Sequence, residues 1–114
     1  MAYVRNLTTN AVIAKNVARA KGPLERIIGF MGRGRIAPDD GLWFDRCWAI
    51  HTVGVRAPLD VLFLDRSGRV VEIAVGVRPA RWAVTCPRAY SVVEFGHGAI
   101  EAADILLGDQ IILS

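Results

Sequence analysis

The hydrophobic pattern is most ordered between Ile50 and Val71, where a polar approach segment, a fixed bend, an apolar run and a turn follow one another. Ala57-Pro58 aims the chain, since proline fixes its own φ and biases the residue before it towards extended backbone. Val61-Leu62-Phe63-Leu64 then reads as a central strand covered on both faces. Asp65-Arg66-Ser67-Gly68 is a hairpin turn with glycine where φ becomes positive, and Arg69 to Val75 returns with Val71, Ile73 and Val75 on one face.

The same reading extends in both directions. YVRNL and AVIAKNVARA form an opening hairpin around Thr8-Thr9-Asn10. After Gly22-Pro23, the spacing of Leu24, Ile27, Ile28 and Met31 predicts a short helix over residues 23–31, closed by Gly32. The stretch 32–41 is a glycine-rich loop, and the apolar patches Leu42-Trp43-Phe44 and Cys47-Trp48-Ala49-Ile50 carry a strand into the core. Residues 76–87 make a long connection with a possible edge segment. YSVVEF is another strand, AIEAADILL a second short helix, and QIIL a last strand after Gly108-Asp109. The expected fold is therefore mainly β, a compact antiparallel sandwich or barrel with two short helices.

Length and composition limit what such a fold is used for. At 114 residues, with 53% hydrophobic and 22% charged side chains, the expectation is one domain over residues 1–114 with a single core. No apolar run approaches the ~20 residues that span a bilayer, and the N-terminal stretch lacks the central apolar block of a secretion signal. Only Cys47 and Cys86 are present, which argues against a disulfide scaffold and for a cytoplasmic protein, although the two could pair if the fold brings them together. The net charge of +3 is uneven: residues 1–37 hold seven Lys or Arg against Glu25 alone, and the remainder holds seven Arg against ten acids.

Candidate chemistry is sparse. Cys47, His51, Cys86 and His97 have the residue types of a zinc site, but C-x3-H followed by C-x10-H is not the usual spacing, so neither metal nor other cofactor is expected. Arginines in the glycine-rich loop (Arg33, Arg35) and near Trp82 (Arg78, Arg81, Arg88) suit a small anion, because guanidinium forks grip carboxylate or phosphate bidentately. The reading chosen is a non-catalytic binding or interaction module for a small anionic ligand or a protein partner. Its anion-accepting pocket is lined by Arg33, His51, Thr52 and Arg81, with Asp60 nearby. The alternative is a small hydrolase-like enzyme in which Asp60 orients His51 as a general base. Nucleic acid ranks below both, since the pI of about 9.3 is permissive but the basic residues share no helix face. The oligomeric state is left open.

The chain also resembles a widespread prokaryotic family known as domain of unknown function 192. The matching residues are Gly29-Phe30-Met31 with Arg33, Gly41-Leu42 with Phe44, His51-Thr52, Pro58-Leu59-Asp60, Phe63-Leu64-Asp65, Gly68, Val70, Pro79 with Arg81, and Gly108-Asp109. The resemblance implies a single predominantly β domain of sandwich or barrel type, and carries no implication about enzymatic activity. Family members often carry Met where this chain has Val55, and an aromatic where it has Gly54.

Overall fold

A computed structural model describes residues 2–22 and 29–114. Its elements in chain order are β1 (Ala2–Asn6), β2 (Ala11–Arg19), β3 (Asp40–Asp45), β4 (Ala49–Ile50), β5 (Leu59–Leu64), β6 (Val70–Val77), β7 (Val84–Thr85), β8 (Ser91–Gly96), α1 (Ala99–Ala103) and β9 (Ile111–Leu113). Seven strands form one sheet in the order β6-β5-β8-β3-β2-β1-β9, and β4 pairs with β7 in a separate small ribbon.

Three features depart from the expected architecture. The sheet is mixed, because β2 and β3 run parallel with Val17 opposite Gly41, and a parallel pair needs a crossover, here residues 20–39. It is not a closed barrel: β6 and β9 are the two edges of the sheet and form no strand ladder with each other, although the Arg69–Gln110 bridge and the backbone hydrogen bonds of Val70 with Gly108 and Asp109 and of Ile111 with Gly68 bring the segments beside them together. Among the described residues there is one helix, α1. The other expected helix falls largely on residues 23–28, outside the described residues, and Gly29 to Gly32 form a turn.

The central hairpin forms where the pattern placed it. Every residue of β5 is buried, with Leu62 and Leu64 packing into one hydrophobic cluster and Leu59, Val61 and Phe63 into the other. Burial of each such side chain contributes roughly 1.5–3 kcal/mol. Asp65 holds the turn by accepting the Ser67 and Arg69 amides on Oδ1, while Gly68 takes φ +82°. The return strand departs from simple alternation. Register shifts after Leu59 and after Phe63 place Val71 against one cluster and Ile73 against the other, and leave Val75 51% exposed. Bulges of this kind insert a residue and reset which face follows. β6 is thus an edge strand, not part of a doubly covered ribbon.

The two sheet faces are covered differently. One carries Val4, Val17, Trp43, Leu62, Phe95 and the helix residue Ile100. The other carries Phe30, Ile36, Phe44, Val55, Val61 and Cys86, so the loops around residues 30–36 and 55 and the segment after β7 cover it. Cys47 and Cys86 are not joined by a disulfide.

Candidate functional site

Thr52 is the knot of the loop layer. It is fully buried, and its hydroxyl donates to the Arg78 carbonyl (2.7 Å) while accepting the Arg81 amide (2.8 Å). Its backbone amide donates to the Arg81 carbonyl at 2.8 Å, and its carbonyl accepts the Ala80 amide at 2.9 Å. The segment after β4 and the segment before β7 are thereby fastened together. A third segment joins them, since the Gly32 amide donates to the Gly54 carbonyl at 3.0 Å and Met31 lies where a Gly54 side chain would project. The sequence neighbourhoods of Arg33, Thr52 and Arg81 therefore meet, although the sequence gives no sign that Thr52 spends its hydroxyl on backbone.

The side chains on these segments have distinct settings. Arg33 is exposed, lies over the Phe30 ring at 5.4 Å and pairs with Asp40 at 3.3 Å. A side-chain hydrogen bond from Asn16 holds the Asp40 carboxyl below its usual range; burial opposes this, and the Ala37 amide and Arg33 reinforce it. Arg78 and Arg81 are exposed. His51 is partly buried just beyond β4, with Nδ1 shielded from solvent.

Asp60 belongs to a different constellation. It projects from β5 and is fully buried; its Oδ1 accepts the Gly76 amide at 2.9 Å and lies 2.8 Å from His97 Nδ1. Its Oδ2 accepts the amides of Gly98 (2.9 Å) and Ile100 (3.2 Å) at the start of α1. Gly76 reaches the carboxylate from the second bulge of β6, at φ +63°, a left-handed conformation that favours glycine. Burial pushes the Asp60 carboxyl up, but His97 and the three amides outweigh it and hold the group below its ordinary value. The expected pairing of Asp60 with His51 is thus replaced by one with His97, whose ring is half exposed.

Sequence reasoning also passed over Glu94. Cross-strand neighbours of Glu94 on β8 are Leu42 and Val61, and its carboxyl lies close to Gly29. Burial pushes it up to about 8, so the group is mostly neutral at pH 7. An acid in the otherwise apolar strand YSVVEF was the one available signal. Among the described residues, no group of three or more His, Cys, Asp or Glu side chains gathers to hold a metal ion. No described helix is long and apolar enough to cross a membrane.

A curled mixed sheet with one face roofed by hydrogen-bonded loops defines the class, a small predominantly β domain. The chain belongs to the DUF192 family, described as an uncharacterized conserved group, whose model matches residues 4–113. It is 33% identical over 63 residues to a UPF0127 protein of Pyrococcus furiosus, a stretch covering 55% of this chain and 53% of that relative, so the match spans about half of each. Two crystal structures share the fold. A protein of unknown function from Novosphingobium aromaticivorans superposes with a TM-score of 0.82 at 21% identity, covering 97% of this chain and 82% of the other. A proposed transcription regulator from Sinorhizobium meliloti gives 0.85 at 24% identity, covering 98% and 92%.

Proposed function

We propose that the protein is a non-catalytic binding module that accepts a small anionic ligand where the segments of Arg33, His51-Thr52 and Arg81 meet. The observation that carries this reading is the Thr52 clasp. Its four hydrogen bonds to residues 78–81 fix the backbone on which Arg78 and Arg81 stand, and the Gly32–Gly54 bond adds the loop of Arg33. Loops fixed in this way leave only the arginine side chains, and not the backbone, to be ordered on binding. The exposed Arg33–Asp40 pair is weak, so an incoming anion can replace the carboxylate. The test is a thermal-shift series with phosphate, sulfate and dicarboxylates. At least one is expected to raise Tm, and the rise should shrink in Arg33→Ala and Arg81→Ala; no response to any of them overturns the reading.

A second reading, a small hydrolase-like enzyme, draws on the pairing of Asp60 with His97. A buried carboxylate orienting a half-exposed imidazole is the arrangement a general base needs, with His97 taking the place given to His51. Turnover of activated esters that disappears in His97→Gln supports it; equal background hydrolysis by both proteins removes it.

A further inference from the structure

Away from the Thr52 clasp, three surface grooves meet at Tyr90. The first, about 530 Å³, is lined by Arg46, Trp48, Arg66 and Tyr90 among others. The second, about 450 Å³, continues past Arg66 to Arg88, and the third, about 460 Å³, runs from Tyr90 towards Arg19 and Lys21. Each falls within the ~300–1,000 Å³ usual for a ligand site, and together they make a continuous track longer than one small molecule needs.

The chemistry of this track is uniform. Five basic side chains line it against two acids, Asp45 and Asp65. Both acids are engaged within the fold, Asp45 offsetting the charge of Arg19, so the basic surplus rests on the other four cations. Asp45 accepts the Trp43 indole N–H and the Ser91 hydroxyl and pairs with Arg19, and Asp65 accepts the amides of its own turn. The Arg66 guanidinium lies over the Tyr90 ring at 4.7 Å, and Trp48 is 53% exposed in the same groove. Arg88 is anchored by one guanidinium nitrogen on the Val71 carbonyl at 3.1 Å. Cations alternating with flat stacking surfaces along an open groove are what a chain of phosphates and bases requires.

We infer that the Tyr90-centred face binds single-stranded nucleic acid, with Arg66 and Arg88 on phosphates and the Trp48 indole and Arg66 plane stacking bases. The inference does not depend on the anion site at Thr52, which lies at the other end of the β4–β7 ribbon. There the Thr52–Arg81 bonds close one end, and the Cys86 amide donating to the Trp48 carbonyl closes the other.

Fluorescence anisotropy of labelled oligo-dT and oligo-rU with the full chain at low salt tests it. Trp48→Ala and Arg66→Ala, both at exposed side chains, are expected to weaken binding roughly 5- to 100-fold with an unchanged melting curve. Arg66→Ala should also flatten the log affinity against log salt slope by about 0.7. Arg33→Ala and Arg81→Ala should leave oligonucleotide binding intact, which separates this proposal from the previous one. No binding at low salt overturns it, as does equal affinity for a duplex of the same length or for heparin, or binding indifferent to both Trp48→Ala and Arg66→Ala.

Discussion

Asp60 Oδ1 lies 2.8 Å from His97 Nδ1, joining a residue at the start of β5 to the residue two positions before α1. With the amides of Gly76, Gly98 and Ile100 on the same carboxylate, the pair fastens β5, the bulge of β6 and the start of α1. Asp60→Ala strips an acceptor from three amides and should cost about 3–5 kcal/mol in urea unfolding at pH 7. A loss under 1 kcal/mol would show that the carboxylate is dispensable to the fold.

Asp60 also makes a pH prediction. Its folded value lies below the ordinary 3.8, so its stabilisation is fully present above pH 3.8 and is lost as pH falls through the folded value. Unfolding free energy of the wild type should fall below about pH 4 more steeply than that of Asp60→Asn. Parallel curves contradict this.

Glu94 acts with the opposite sign. Its carboxyl is held at about 8 in the folded state against 4.5 when free, so the native state binds the extra proton. Stability from this group is complete below pH 4.5 and declines as pH rises to 8, by up to roughly 1.4 kcal/mol per pH unit. Glu94→Gln should remove that slope and be more stable than the wild type at pH 8. Identical pH profiles would place the carboxyl in contact with water.

Thr52→Val keeps the shape but removes the hydroxyl that joins Arg78 and Arg81. A loss of about 1–3 kcal/mol is expected, together with faster amide exchange at Arg81, whose N–H then has no acceptor there. Thr52→Ser should restore most of both. Slow exchange at Arg81 in the valine variant would show that the clasp is redundant.

Gly96 ends β8 directly beneath Ala37, and a methyl group there would collide with the Ala37 backbone carbonyl. Since backbone on both sides cannot yield as a side-chain tip does, Gly96→Ala should cost more than about 3 kcal/mol or prevent folding. A soluble variant with wild-type Tm would refute the packing at this point.

The chain's own pattern determined the opening hairpin, the strands read over 61–64, 90–95 and 110–113, and the turn at Asp65-Gly68, because alternation, turn residues and proline act over a few neighbouring positions. The same pattern marked His51-Thr52, Asp60 and the arginines as the polar residues of interest. What only the tertiary structure decided depends on distant encounters. The parallel pairing of β2 with β3 arises across a crossover, and the bulges of β6 arise against β5. Asp60 meets His97 rather than His51 because residues 37 positions apart are brought to one end of the sheet. Likewise, Arg66 and Arg88 stand around Tyr90 because separate turns converge there, a juxtaposition that no local periodicity encodes.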